Sequence, residues 1–192
     1  MTSKEKILRT AYTMIHQNGF ERTSVDEIIR KAGVSKSNFY YHFRTKQMLG
    51  LAVLDMRIEN YTAEILGKTL LDENLSPLKR LASFYEKVIS LHVDYECRYG
   101  CPFGNLAIEL SAKNNRFRKR LEEFFGFWQQ TIESCLSEGV KIGEFSDKIN
   151  VQVFSELILS HLQGAILMTK TYKRINPLER GSKEIINLLK AA

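Results

Sequence analysis

The stretch Gly33-Val34-Ser35-Lys36-Ser37-Asn38-Phe39-Tyr40-Tyr41-His42-Phe43-Arg44-Thr45-Lys46 decides how the rest of this 192-residue sequence is read. Gly33 suits a tight turn, because it enters left-handed backbone without a Cβ penalty. Ser35 stands where a helix cap is needed, its hydroxyl able to accept a hydrogen bond from a backbone N–H of the first turn. Along the short helix that follows and just beyond it, Lys36, Ser37, Asn38, Tyr40, Tyr41, His42 and Lys46 bring donors and aromatic edges, while Phe39 and Phe43 bring apolar anchors. Such a mixture makes a poor hydrophobic core. It makes a good surface for gripping a nucleic-acid backbone, with the two phenylalanines fixing it to a scaffold beneath.

Upstream, Ile7, Leu8, Ala11, Met14 and Ile15 recur at helical spacing and predict a first helix from about Lys4 to Asn18, capped by Ser3 and stopped by Gly19. Ser24 followed by Glu27 forms a capping box that opens a second helix, ending at Ala32-Gly33. Three short helices, the last two joined by a Gly-Val-Ser turn, make residues 1–47 a helix-turn-helix module. Thr45 caps a longer helix, from Lys46 to about Gly67, with no flexible linker before it. The body, residues 48–192, continues with Pro77 to about Tyr95, Pro102 to Ala112, Asn115 to Lys141, Lys148 to Tyr172 and Pro177 to Leu189. Each proline falls at a first helical turn, where its missing N–H costs nothing. The expected class is all-α, with about nine helices, an N-terminal helix-turn-helix domain and a C-terminal ligand-binding and dimerisation domain.

Charge is unevenly spread. Residues 1–50 hold nine of the 28 lysines and arginines but four of the 22 acids, so they carry +5 of the net +6. A basic module on a nearly neutral body suggests a polyanion partner at one end. Three cysteines, Cys97, Cys101 and Cys135, in a chain that opens without a signal peptide predict thiols in a reducing cytoplasm. No unbroken apolar run reaches the roughly 18 residues of a membrane span, so no membrane partner is expected. His92, Cys97 and Cys101 lack the paired spacing and fourth ligand of a zinc site, so neither metal nor cofactor is expected.

Residues 151–168 are apolar around most of the helical circumference, and Ser160 and Gly164 would allow close helix approach. A domain this small explains one buried face; a second copy explains the other. A two-fold dimer through helices 148–172 and 177–189 would bury both in a four-helix bundle.

The motifs Ile7-Leu8-x-x-Ala11, Gly19-Phe20, Thr23 to Ile28, Ala32 to Lys36, Tyr40-Tyr41-His42-Phe43 and Lys46-x-x-Leu49 together resemble the tetracycline-repressor (TetR) family of bacterial transcription regulators. The likeness is close over residues 4–50 and loose beyond. It implies a homodimeric repressor, not an enzyme, that places two recognition helices in successive major grooves of a palindromic double-stranded operator and is released by a small-molecule effector. By position, the resemblance puts Lys36, Ser37, Asn38 and Tyr40 near bases and adjacent phosphates, and Ser24, Tyr41, His42 and Lys46 at the backbone, beside the cap Ser35.

Two places suggest a signal. Cys101-Pro102-Phe103-Gly104-Asn105-Leu106 resembles a branch of that family, and Pro102 at a first helical turn would put Cys101 where a thiolate is favoured, as in an electrophile sensor. Aromatic stripes supply the other: Tyr85, Tyr95, Phe124, Trp128, His161 and Met168, with Cys101 and Phe103, have the composition of a pocket for an aromatic or lipophilic effector. Two other classes compete: an architectural DNA-binding protein without an effector, and a thiol enzyme built on Cys101, for which four histidines offer no evident partner constellation.

Overall fold

The computed structural model describes residues 1–191, and every regular element among them is helical. Nine α-helices follow in order: α1 Ser3–Asn18, α2 Val25–Ala32, α3 Lys36–His42, α4 Lys46–Tyr61, α5 Pro77–Asp94, α6 Pro102–Leu110, α7 Asn115–Lys141, α8 Val151–Tyr172 and α9 Asn176–Ala191. The chain separates into two compact units. The first joins Met1–Asn60 to Pro102–Leu121; the second joins Tyr61–Cys101 to the chain from Glu122 onward.

In the first unit, α1, α2 and α3 pack on one another through Ile7, Ala11, Met14, Ile15, Ile28 and Phe39, all buried. The cap of α1 is Thr2 rather than the expected Ser3. Glu5 dictates the shift, since a capping box needs the acid three residues on: the Glu5 N–H donates to Thr2 Oγ1 at 3.2 Å and the Thr2 N–H to Glu5 Oε2 at 3.0 Å. Ser24 and Glu27 form the second box, and Gly33 ends α2 at φ 64°, left-handed backbone that disfavours a side chain. The same Ser24 bonds hold the Glu27 carboxyl below the usual carboxylate range.

Helix α4 crosses this unit at close range. A Cβ at Gly50 would lie 2.3 Å from the Phe20 ring and 2.8 Å from Phe117, so only glycine lets these helices meet. Phe20 and Phe117 pack with ring centroids 5.2 Å apart. Arg57 is buried here, its guanidinium 3.8 Å over the Tyr12 ring while Nη2 donates to the Tyr12 carbonyl at 2.7 Å. Ring and carbonyl together offset the desolvation of that charge.

The helix expected to run from Lys46 to Gly67 stops being α at Tyr61. A π-helical turn, Thr62–Leu66, follows, closed by the Gly67 N–H donating to the Thr62 carbonyl at 2.7 Å. Thr69 Oγ1 donates to the Ile65 carbonyl at 2.6 Å, satisfying an acceptor there. No periodicity rule foretells this insertion, because a wide turn shifts register without changing residue type.

The second unit has α5 against α9 and the π turn, and α8 against α9. Its core includes Leu81, Phe84, Tyr85, Trp128, Ile132, Ile158 and Leu162. Arg80 ties the segment before α5 in place, Nε donating to the carbonyls of Asp72 and Leu75 at 2.8 Å each and Nη1 to Glu138 Oε2 at 2.7 Å. Asn150 caps α8 by accepting from the Val153 N–H, so this helix opens at Val151 and not at Lys148. Helix α8 reaches a mean hydropathy of 1.3 over an 18-residue stretch; one helix of this kind is weak evidence of a membrane span, because a packed core helix has the same length and composition.

His92, buried on α5, has Nδ1 2.8 Å from the Val88 carbonyl and no hydrogen-bond partner at Nε2. Burial holds its pKa below the ordinary value, against the smaller raising effect of the Val88 carbonyl. The unfolded chain therefore binds a proton that the folded chain refuses once pH falls below about 6.5. Stability should decline on acidification through this window, by at most about 1.4 kcal/mol per pH unit from this group, and be indifferent to it above. Urea titrations at about pH 7.5 and pH 5 should show a smaller loss for His92→Gln than for wild type; equal losses would contradict the assignment.

Candidate functional site

Helix α3 has seven residues, too few to persist alone, so its caps and its buried edge decide whether it exists. The Asn38 N–H donates to Ser35 Oγ at 3.2 Å, and the Phe43 N–H closes the far end on the Phe39 carbonyl at 2.8 Å. Phe39 is wholly buried and Phe43 nearly so, their rings 6.2 Å apart. Burying each contributes roughly 1.5–3 kcal/mol.

With the apolar edge inward, the polar edge turns out. Ser35, Lys36, Ser37, Tyr40 and Tyr41 are exposed, Tyr41 at 84%, while Asn38 and His42 are half-buried. Tyr40 packs edge-on to Phe39 at 5.2 Å and Tyr41 edge-on to His42 at 5.0 Å, so both rings are oriented from behind. The Lys36 ammonium lies 3.7 Å from Asp26, both groups open to solvent. An exposed pair of this kind is worth little and yields readily to a phosphate. Ser24 is exposed one turn away, at the start of α2.

Lys46 sits differently. Its ammonium donates to the Glu21 carbonyl at 3.1 Å and lies 4.6 Å over the Phe20 ring, bracing the turn between α1 and α2. The sequence pattern offers it as a backbone contact; in the structure its bonded neighbour is a carbonyl 25 residues away.

In the second unit, Tyr85, Phe84, Trp128 and Phe124 form a connected run of rings. Trp128 meets Phe84 edge-on at 5.9 Å and Phe124 at 5.7 Å, and Phe84 lies 5.7 Å from Tyr85. Tyr61 joins them, 4.8 Å from Trp128 and edge-on to Phe124 at 6.0 Å. Its pKa is raised well above the ordinary phenol value, by burial first and by the neighbouring Cys101 second. The Tyr85 hydroxyl is buried without a hydrogen-bond partner, and burial raises its pKa also. A buried hydroxyl left without a partner among apolar rings is a cost to the fold.

Of the other residues of the expected pocket, Cys101 neighbours Tyr61 and the rest lie elsewhere. Tyr95 is exposed and pairs edge-on with Tyr99 at 5.8 Å; Met168 is exposed on α8. The His161 ring lies over Gly181 of α9, where a Cβ would meet it at 2.3 Å. Phe103 is buried in the first unit. Cys101 and Cys97 are buried, and burial pushes the Cys135 thiol up to about 12, which makes it inert. Tyr61 escaped the sequence reading because it ends an α-helix just before a π turn, outside any aromatic stripe.

A family model described as bacterial regulatory proteins, tetR family, matches residues 7–53, and one described as the tetracyclin repressor-like C-terminal domain matches residues 77–185. An HTH-type transcriptional regulator in the lacX 3' region of Lactococcus lactis subsp. lactis is 34% identical over 179 residues, covering 92% of this chain and 88% of that protein. The HTH-type transcriptional repressor DhaR of Mycobacterium sp. (strain GP1) is 28% identical over 164 residues, with 85% and 80% covered. The crystal structure of regulatory protein TetR from Rhodobacter sphaeroides superposes with a TM-score of 0.87 at 29% identity, over 96% of this chain and 97% of that one.

Removing the cap tests the local account. Ser35→Ala should cost about 1 kcal/mol of stability, read as a lowered melting temperature, because the Asn38 N–H loses its acceptor. Unchanged melting would mean that Phe39 and Phe43 hold α3 without the cap.

Proposed function

The chain belongs to the tetR family of bacterial regulatory proteins and is a DNA-binding transcriptional regulator; from that premise we propose that it acts as a homodimeric repressor. In this reading Lys36, Ser37, Asn38 and Tyr40 meet base edges and neighbouring phosphates, and Ser24, Ser35, Tyr41 and His42 fix the register on the backbone. The observation that carries it is the two-sidedness of α3: Phe39 and Phe43 inward, hydroxyls, amide and ammonium outward. Lys46 acts one step back, bracing the α1–α2 turn, as its bond to Glu21 suggests.

The partner is a second copy of the chain. On α8, Val153, Leu157, Leu167 and Met168 are exposed at 39–54%, and Ser160 and Gly164 line up with them at spacings of three and four. An exposed apolar row of this kind supports an interface in which α8 and α9 of each copy form a four-helix bundle. Such a dimer reads a palindromic operator whose half-sites lie about one helical turn, 34 Å, apart.

The effector is a small aromatic or lipophilic molecule carrying one polar atom, held among Tyr61, Phe84, Tyr85 and Trp128, with Cys101 near Tyr61 as a second point of chemical sensitivity. Release follows if this molecule prefers the arrangement in which the two α3 helices no longer match the groove spacing. The Cys101-Pro102-Phe103-Gly104-Asn105-Leu106 segment supports assigning the protein to a branch of the family with a similar stretch at this place. A cytoplasmic location accords with a role on DNA.

Binding to duplex DNA should weaken steeply as salt rises, and Lys36→Ala should lower the slope of log K against log salt by about one. A flat salt response would overturn the DNA reading. Leu157→Glu should yield a folded monomer by sedimentation that no longer holds DNA at wild-type concentrations; a variant that stays dimeric would place the interface elsewhere.

A further inference from the structure

The turn between α1 and α2 carries no base-reading residue, yet it leads directly into Ser24, the cap of α2, and so sets how α2 and α3 leave α1. Its polar groups are taken from several directions. Thr23 Oγ1 donates to the Gly19 carbonyl at 2.7 Å, and Lys46 donates to the Glu21 carbonyl at 3.1 Å. Two of its amides point at one side chain: the Phe20 N–H donates to Glu109 Oε2 at 2.9 Å, and the Glu21 N–H to Glu109 Oε1 at 2.7 Å. The bonds span 89 and 88 residues of chain. Two-point, charge-assisted bonds of this kind fix direction as well as distance.

The origin of that carboxylate matters as much as its geometry. Glu109 lies on α6, inside the stretch 77–185 that matches the C-terminal, repressor-like domain. The fold nevertheless puts Pro102–Leu121 into the first unit, with α1 to α4. Cys101, one residue before α6, belongs to the second unit. Thus a residue from the effector half of the sequence holds the entrance to the DNA-reading helices.

Resting on the DNA-binding reading above, we propose that Glu109 is a positioning residue for DNA binding: its carboxylate, accepting the Phe20 and Glu21 amides, sets the α1–α2 turn so that Ser24 and α3 meet the groove together. A shift of α6 would then be felt at α3 through two hydrogen bonds. The choice of residue is demanding. Glutamine has nearly the same shape but only one acceptor oxygen, and its NH2 would face a backbone N–H. Aspartate keeps both acceptors on a shorter stem.

The test uses the full-length protein and the duplex that wild type selects from a random-sequence pool. Glu109→Gln should bind that duplex about tenfold more weakly, the scale of one hydrogen bond to a charged group. Its melting temperature should fall by only about 2–4 °C per kcal/mol lost, leaving it folded in the assay, and its salt slope should be shallower, because a mis-set turn makes fewer phosphate contacts. Simple loss of folded protein would lower affinity without changing that slope. Glu109→Asp should recover part of the affinity. Lys113→Ala, which removes only the solvent-exposed Lys113–Glu21 pair at 3.9 Å, should bind as wild type. Wild-type affinity for Glu109→Gln, an unchanged slope, or equal loss in the glutamine and aspartate variants would overturn the proposal while leaving the DNA reading intact. A wild type that selects no duplex would overturn the DNA reading itself, and the proposal with it.

Discussion

The burial of Phe39 and Phe43 is the interaction on which the first unit's purpose depends. A seven-residue helix has no stability of its own. It persists because two rings enter the core formed with α1 and α2, and because Ser35 and the Phe39 carbonyl close its ends. Only with that edge fixed can the opposite edge be given over to lysine, serine, asparagine and tyrosine. Packing thus frees the outer face for recognition, and the basic charge of residues 1–50 follows the same division.

The second unit solves a different problem. Its centre is aromatic, with Phe84, Tyr85, Phe124, Trp128 and Tyr61 meeting edge-on or tilted, the usual preference of ring quadrupoles. A core with no task would favour phenylalanine where Tyr85 leaves a hydroxyl without a partner. The surface of α8 shows a similar departure from economy, exposing leucine, valine and methionine that would be better buried. Both departures are the observations on which the proposed effector and the proposed second copy rest.

The sequence made the helical elements legible wherever caps and periodicity agreed. Ser24 with Glu27, Gly33, Pro77 and Pro102 mark starts and stops that the structure keeps. The misses have local physical causes. Thr2 displaced Ser3 as a cap because Glu5 completes the reciprocal bond with it. The π turn after Tyr61 changed the register of a helix whose composition gave no warning. His161 reads as a polar tip for a cavity but lies over Gly181, a neighbour from the next helix that periodicity cannot supply. Glu109 is the sharpest instance: in sequence it is one acid on a short helix, and its partners lie nearly ninety residues away. Local rules reach a few residues; tertiary hydrogen bonds have no sequence signature.

The central claim is that two copies of α3 read two turns of one duplex. Hydroxyl-radical footprinting of the purified protein on the duplex it selects tests this most directly. The account predicts two protected stretches on one face of the DNA, centred about 10–10.5 base pairs apart and related by a two-fold axis. A single protected stretch, or uniform protection along the duplex, would contradict it.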